Sequence, residues 1–191
     1  MKTKETFCPR NTEEWRNWLE NNYDKKKAIW LIYYKQHSPK HNITWSQAVD
    51  QALCFGWIDS VINKIDDDKY KQYFSKRKDK SIWSRINKDK VKMLIENGQM
   101  HHAGLASIAV AKQNGSWTFL DQVDALIIPE DLKQAFELHN GALAFYEGLS
   151  NSIKKQLLYW VVSAKRKETR NSRISEIAEN ASKGLKPKQF R

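Results

Sequence analysis

The residues with the clearest capacity for chemistry lie in two short segments, ALCFGWIDS at residues 52–60 and YFSKRKDKSIWS at residues 73–84. In the second segment, Arg77 and Lys78 precede a predicted helix start, where unpaired N–H groups and positive potential favour a bound anion. In the first, Asp59 follows a predicted helix-to-strand junction, from which its side chain can reach a cleft. The candidate ligand-binding residues are Trp57, Asp59, Ser60, Arg77, Lys78, Ser81, Trp83 and Ser84. We therefore predict an anion-binding site centred on Arg77.

The same residues also fit a purely structural interpretation. Ser81 or Ser84 would then serve only to cap the following helix. Trp57 and Trp83 would belong to the core, and the neighbouring lysines would face solvent. The sequence leaves both interpretations open.

The positive charge of the chain is concentrated in two segments. The 191 residues carry a formal net charge of +11. Residues 69–92 hold ten basic and two acidic residues, and residues 163–191 hold nine basic and three acidic residues. Such clusters attract an anionic small molecule, an acidic protein surface or nucleic acid. The candidate residues of a second basic patch, in the later segment, are Lys165, Glu168, Arg170 and Arg173.

Aromatic and basic residues alternate within residues 70–83, which is typical of a surface that stacks bases inside an electrostatic funnel. The aromatic members are Tyr70, Tyr73, Phe74 and Trp83, and the basic members are Lys71, Lys76, Arg77, Lys78 and Lys80. A strand with Tyr70 and Phe74 on one face normally gives at least one of its faces to the core. Nucleic-acid binding is therefore the alternative function.

Indications of catalysis or metal binding are weak. The sequence contains no GxSxG nucleophile motif and no glycine-rich phosphate loop. Cys54 lies on the apolar face of a predicted helix, and Pro39 between His37 and His41 disfavours metal ligation from one helix. We predict no catalytic residue, no metal site and no cofactor.

Residue patterns predict an α+β fold, with a small antiparallel sheet of three or more strands and packed helices, followed by a helical C-terminal part. Predicted helices lie at residues 12–22, 44–56, 87–97, 102–114, 129–141, 150–164 and about 168–183, and predicted strands at 28–35, 57–65 and 69–75. Thr44 and Gln47 form a capping-box pattern, and the acidic residues 66–68 form a predicted hairpin turn. We expect residues 1–120 to be the α+β region and residues 121–191 the helical region, packed together as one unit.

Length and composition describe a globular protein. A chain of 191 residues can bury about 70% of the surface that it exposes when unfolded. No apolar run approaches the roughly 20 residues needed to cross a bilayer, and no apolar segment follows the charged residues 1–10, so we expect neither a membrane span nor a secretory signal. Cys8 and Cys54 are predicted to be free thiols. We therefore expect the chain to be cytoplasmic.

Four separated blocks of sequence resemble one known family. The blocks are ALCFGWIDS at 52–60, FSKRKDKSIWS at 74–84, LIENGQMHHAGLASIAVAKQNGSW at 94–117 and YWVVSAKRKETRNSRISEIAENASKG at 159–184. Together they are similar to the YdeI/OmpD-associated proteins, also called bacteriocin-protection proteins, over nearly the whole chain. Members of that family usually have proline at the position of Lys76 and arginine at the position of Gln99, and these departures weaken any functional claim for the two positions.

The resemblance implies a role in protection against bacteriocins, cationic peptides or envelope stress, and an association with an outer-membrane porin. It implies no reaction and no catalytic residue. A cytoplasmic chain would not meet an outer-membrane porin directly.

These observations predict a cytoplasmic, non-enzymatic accessory protein that acts in antimicrobial-peptide or stress tolerance by binding an anionic ligand or partner through its basic patches. A nucleic-acid-binding module is the alternative. An undescribed enzyme would be favoured if a pocket brought Asp59 beside His101 or His102 as a general acid–base pair. The sequence predicts no oligomeric state.

Overall fold

The computed structural model describes residues 5–191, which divide into one unit up to Phe119 and a second unit from Leu120. The first unit contains β1 (Thr6–Phe7), α1 (Thr12–Asn22), β2 (Ala28–Tyr34), α2 (Trp45–Cys54), β3 (Trp57–Lys64), β4 (Lys69–Lys76), α3 (Arg85–Glu96) and α4 (His102–Gln113). The second contains α5 (Asp121–Asp124), α6 (Glu130–Glu137), α7 (Ala142–Glu147), α8 (Asn151–Val162), α9 (Lys167–Ala181) and a 3₁₀ turn at Lys188–Phe190. The predicted α+β class, with its helical C-terminal part, is confirmed.

The strands form one mixed sheet in the spatial order β1-β2-β4-β3. Strand β4 pairs antiparallel with both β2 and β3, and the turn between β3 and β4 contains the three predicted aspartates. Strand β1 lies parallel to β2 through Thr6 and Phe7, which departs from the predicted antiparallel pairing. A strand of two residues carries no alternating pattern, so no sequence signal predicted it.

One face of the sheet is covered by α1 and α2. Ile29 and Leu31 of β2 and Phe74 of β4 lie on this face and are almost completely buried. They share a core with Trp15 of α1, whose ring contacts that of Phe74 at a centroid distance of 5.5 Å and whose indole Nε1 donates to the Ala48 carbonyl of α2 at 3.0 Å. The helices and the sheet are therefore joined through aromatic packing.

An irregularity in β3 changes which side chains share a face. Trp57, Val61 and Ile65 stand at every fourth position of the predicted strand 57–65, a spacing that predicts one shared face, and this prediction is wrong. The pairing register shifts between Asp59 and Ile62, so Trp57 is fully buried whereas Val61 is 58% exposed and Ile65 is 40% exposed. An extra residue in one strand moves every side chain that follows it to the opposite face of the sheet.

Helix α2 begins with the predicted capping box. Thr44 Oγ1 accepts a hydrogen bond from the Gln47 backbone N–H at 3.2 Å, and Gln47 Oε1 accepts one from the Thr44 N–H at 2.9 Å. Two of the unpaired N–H groups at this end are thereby satisfied, which fixes where the helix starts.

The second unit has its own core of helix side chains. Leu132 and Phe136 of α6, Leu157 of α8 and Ile177 of α9 are buried there. No helix within residues 5–191 combines the length and the apolar character that crossing a membrane requires.

Candidate anion-binding site

Three of the four sequence blocks meet where the end of α2 contacts the start of α4. The Cys54 carbonyl accepts a hydrogen bond from the His101 N–H at 3.1 Å, and the Gly56 carbonyl accepts one from the Arg77 N–H at 2.9 Å. Gly104 makes this approach possible, because a Cβ atom at that position would overlap the Cys54 carbonyl oxygen. The contact places Arg77 directly beside α4.

The Arg77 guanidinium lies over the indole ring of Trp83. Its central carbon is 3.6 Å from the centre of that ring, which is close for a cation–π contact. Both residues line a cavity of about 200 Å³, and the other lining residues are Lys78, Asp79, Ala106, Ser107 and Val110. We call this space the Arg77 cavity.

Arg77 is partly buried and has few partners for a charged group. Its Nη1 donates to the Ile82 carbonyl at the long distance of 3.5 Å, and its buried Nε has no partner among the described residues. Burial lowers the pKa of Arg77 to about 10, and the charge of Asp59 opposes this only in part. In the part of the chain that the structure describes, no carboxylate lies within ion-pair distance of Arg77. Within residues 5–191, the guanidinium therefore lacks a close counter-ion.

The loop that carries Lys78 and Trp83 is fixed by hydrogen bonds. Ser81 Oγ accepts from the Lys78 N–H at 3.0 Å, and the Asp79 carbonyl accepts from Asn114 Nδ2 at 2.7 Å. Trp83 is 1% exposed. The wall of the cavity is thus held in place before any ligand arrives.

Ser84 acts as the N-cap of α3, accepting a hydrogen bond from the Asn87 N–H at 3.3 Å. Ser81 and Ser84 therefore both have structural partners. Neither belongs to the lining of the Arg77 cavity.

Three predicted site residues lie away from this cavity. Trp57 is fully buried in the core, and its Nε1 donates to the Tyr23 carbonyl at 3.3 Å. Asp59 Oδ2 accepts hydrogen bonds from side chains of α2 and β4, and Ser60 Oγ donates to the Tyr73 carbonyl at 3.3 Å. The structure thus brings together Arg77, Lys78 and Trp83 and separates them from Trp57, Asp59 and Ser60.

In the second basic patch, the two arginines have protein partners. Arg170 makes a bidentate ion pair with Asp131, at 2.6 Å and 2.9 Å, and also donates to the Val161 carbonyl at 3.3 Å. Arg173 donates to the Trp160 carbonyl and lies 5.2 Å from the centre of that indole ring. Both side chains satisfy carbonyls near the end of α8. Lys165 and Glu168 are exposed.

The Arg170–Asp131 pair makes stability depend on pH. The hydrogen bonds from Arg170 lower the pKa of Asp131, so the pair contributes stability above the unfolded carboxyl pKa of about 3.9 and loses it as the pH falls through the lower folded value. We expect urea unfolding of the wild type to weaken more between about pH 5 and about pH 3 than that of Arg170→Gln. Lys165→Gln, which changes an exposed lysine, should keep the wild-type dependence. Identical pH profiles for all three proteins would contradict this assignment.

The ring contacts of His101 and His102 are with aromatic residues and with each other. His101 packs on the Phe55 ring at a centroid distance of 4.7 Å, and His102 Nε2 lies 3.4 Å from the Tyr23 hydroxyl. Burial, followed by the neighbouring His102, lowers the pKa of His101. Within residues 5–191, no group of three or more His, Cys, Asp or Glu side chains is arranged to hold a metal ion.

The sequence interpretation missed the contribution of α4 to the Arg77 cavity. Ser107 and Val110 line it, and Gly104 allows the close approach. Ala103, Gly104 and Ser107 form a stripe of small residues at helical spacing, and this stripe was the available signal.

Together, the geometry defines an α+β protein with a positively charged cavity in its first unit, joined in sequence to a helical unit with a separate core. The chain belongs to the family described as "Domain of unknown function (DUF8412)", whose model matches residues 7–107, more than half of the chain. Residues 125–184 match a second family model, described as "Bacteriocin-protection, YdeI or OmpD-Associated". This match confirms the YdeI/OmpD-associated resemblance for the C-terminal part. No curated protein and no solved structure matches the chain significantly.

Proposed function

We propose that this chain is a non-enzymatic accessory protein of the YdeI/OmpD-associated type that binds a small anionic ligand through Arg77. The observation that carries this proposal is the partly buried Arg77 side chain, whose Nε is unpaired and whose guanidinium carbon lies 3.6 Å from the centre of the Trp83 ring, without a carboxylate at ion-pair distance among the described residues. An uncompensated buried charge is costly, and a bound anion would compensate it.

The size and lining of the Arg77 cavity favour one small acidic group. A volume of about 200 Å³ accommodates a phosphate, sulfate or carboxylate group with a short substituent. A guanidinium fork suits such groups because it can donate two parallel hydrogen bonds. Lys78 adds a second positive charge, which Asp79 on the same lining opposes, and the Ser107 hydroxyl donates to the Gly104 carbonyl at 2.8 Å. The ligand is therefore an anionic small molecule or an acidic side chain presented by a partner protein.

The cellular role that we propose is tolerance of bacteriocins, antimicrobial peptides or stress, exerted from the cytoplasm. Support comes from the description of the family model at residues 125–184. The net charge of +11 repels cationic peptides over long distances. Direct capture of such peptides is therefore a poorer mechanism for this chain than recognition of an anion.

The first test is a titration with inorganic phosphate and with sulfate, followed by two-dimensional ¹H–¹⁵N NMR at constant ionic strength. We expect binding with a Kd of about 1 mM, and a loss of at least about tenfold in Arg77→Met. Because Arg77→Met replaces a partly buried charge with an apolar chain of similar length, it should not lower the free energy of unfolding. The matched control is Arg85→Met, whose side chain is 74% exposed and lies outside the cavity.

The assignment of the site would be overturned if Arg77→Met bound phosphate and sulfate as tightly as the wild type does. The cellular test compares a strain lacking the chain with strains that express the wild type, Arg77→Ala or Arg170→Ala, under peptide challenge. If both variants retain anion binding and full tolerance, the two basic patches are not the functional sites.

One observation favours nucleic-acid binding as a second candidate. On the sheet face opposite α1 and α2, the Lys71 ammonium lies 5.0 Å from the Trp30 ring centre, and the Lys69 ammonium lies 6.0 Å from that of Tyr34. Cations beside aromatic rings are typical of single-strand binding surfaces. Oligothymidylate added to the same NMR titration separates the candidates, because counterion release makes nucleic-acid affinity fall steeply with salt.

A further inference from the structure

Side chains of α3 and α4 line a cavity of about 420 Å³ that shares no lining residue with the Arg77 cavity. Its apolar lining consists of Val91 and Ile95 of α3, Ile108 of α4, and Trp117. Val91 and Ile108 are almost completely buried, whereas Ile95 is 48% exposed. Apolar surface therefore extends here from the core of the first unit out to solvent. We call this space the Trp117 pocket.

Three lysines also line the Trp117 pocket, Lys88 and Lys92 from α3 and Lys112 from α4. The ammonium groups of Lys88 and Lys112 each lie 5.5 Å from the centre of the Trp117 ring. Within residues 5–191, the Lys112 ammonium has no carboxylate partner. A bound anion beside the Trp117 ring would pair with this positive charge.

Two carboxylates line the pocket as well, but both are exposed and belong to its outer edge. Asp89 and Glu96 stand two and five positions after Asn87 and Val91 respectively, and helical spacing puts both far round α3 from the buried Val91. Lys88, three positions before Val91, shares its face. Asp89 also has a partner on its own helix, since its carboxylate lies 3.9 Å from Arg85 Nε. The charges nearest the apolar lining are therefore those of lysines.

The apolar and the cationic groups together define the class of ligand. An apolar body placed on Val91 and Ile108 contributes free energy in proportion to the area that it removes from water. A neutral molecule would leave Lys112 without an anion, and a bare inorganic anion would leave the apolar lining in contact with water. Both features are satisfied by an apolar ring or chain that ends in an acidic group.

We propose that the Trp117 pocket binds a small carboxylic acid with an apolar ring or short chain, whose carboxylate pairs with Lys112. A volume of about 420 Å³ lies within the range of small-molecule sites. This site goes beyond the anion site at Arg77, because the cavity there is only about 200 Å³ and suits a smaller acidic group.

The test is a titration of the whole chain with 4-phenylbutyrate and with its uncharged counterpart 4-phenylbutan-1-ol, followed by the indole N–H signals in ¹H–¹⁵N NMR. We expect 4-phenylbutyrate to shift the Trp117 signal with a Kd on the order of 1 mM. The alcohol keeps the apolar body but lacks the charge, so it should bind at least about fivefold more weakly.

Two variants separate the two parts of the site. Lys112→Gln removes the ammonium group, and should weaken 4-phenylbutyrate about fivefold while leaving the alcohol unchanged. Ile95→Asn places an amide in the apolar lining, and should weaken both ligands about threefold. The matched controls are Lys165→Gln, an exposed lysine of the second unit, and Met93→Asn, which is 62% exposed on α3 and outside the pocket. Both controls should bind as the wild type does.

The proposal is overturned if 4-phenylbutyrate leaves the Trp117 signal unshifted, if the alcohol binds as tightly as the acid, or if Lys112→Gln keeps the wild-type affinity for the acid. Arg77→Met distinguishes this site from the proposed anion site, and should bind 4-phenylbutyrate as the wild type does. Loss of that binding in Arg77→Met would mean that the carboxylate occupies the Arg77 cavity, which would also contradict the proposal.

Discussion

Gly104→Ala is expected to lower the free energy of unfolding by about 3 kcal/mol, the upper range for overpacking a tight core contact. The added methyl group would overlap the Cys54 carbonyl oxygen, and would lie 2.7 Å from that carbonyl carbon and 2.8 Å from the Leu53 oxygen. All three atoms are backbone, so no side chain can rotate away, and α2 and α4 must separate. Urea unfolding followed by tryptophan fluorescence measures the loss.

Gly148→Ala is the matched control for this substitution. Gly148 also has a negative φ of −72°, and a methyl group there would meet nothing closer than 3.5 Å. Its free energy of unfolding should stay within about 0.5 kcal/mol of the wild type. A Gly104→Ala variant as stable as Gly148→Ala would show that α2 and α4 do not pack as described.

Trp83→Ala is expected to cost about 3 to 5 kcal/mol of stability, as large aromatic truncations in cores do. The indole is 1% exposed and contacts both the Arg77 guanidinium, at 3.6 Å, and the Trp117 ring, at a centroid distance of 5.0 Å. Its removal leaves a void and also takes away the surface that orients Arg77. We therefore expect both a lower urea midpoint and a loss of phosphate binding.

Trp83→Phe separates the effect on stability from the effect on phosphate binding. A phenyl ring keeps a flat surface under Arg77 but fills less volume, so phosphate binding should survive while part of the stability is lost. If Trp83→Ala retained both wild-type stability and phosphate affinity, the described arrangement of Arg77 and Trp83 would be incorrect.

Local features of the fold were predictable because their hydrogen bonds close within a few residues. The capping box of Thr44 and Gln47 and the span of α1 follow from neighbouring side chains alone. The strand order was not predictable, because β1 has two residues and carries no pattern. The shift between Asp59 and Ile62 was missed for a similar reason, since one extra residue leaves no compositional trace.

In the candidate site, too, contacts between residues close in sequence were predictable and contacts between distant segments were not. Arg77 and Trp83 are close in sequence, and their proximity was anticipated. The contribution of Ser107 required knowing that Gly104 packs on the end of α2, which is a contact between distant segments. The count of basic residues also overstated the positive charge that the second patch offers to a ligand, because Arg170 is paired with Asp131, thirty-nine positions away.

The central position of β4 has a consequence for synthesis of the chain. Strand β4 begins at Lys69 and inserts between β2, which ends at Tyr34, and β3. A ribosome therefore releases the apolar segment AIWLIYY of β2 well before its antiparallel neighbour exists. Until then the edge of β2 that β4 will occupy is open to pairing with other nascent chains. This edge of β2 becomes paired only after β4, the last strand in the sequence, has left the ribosome.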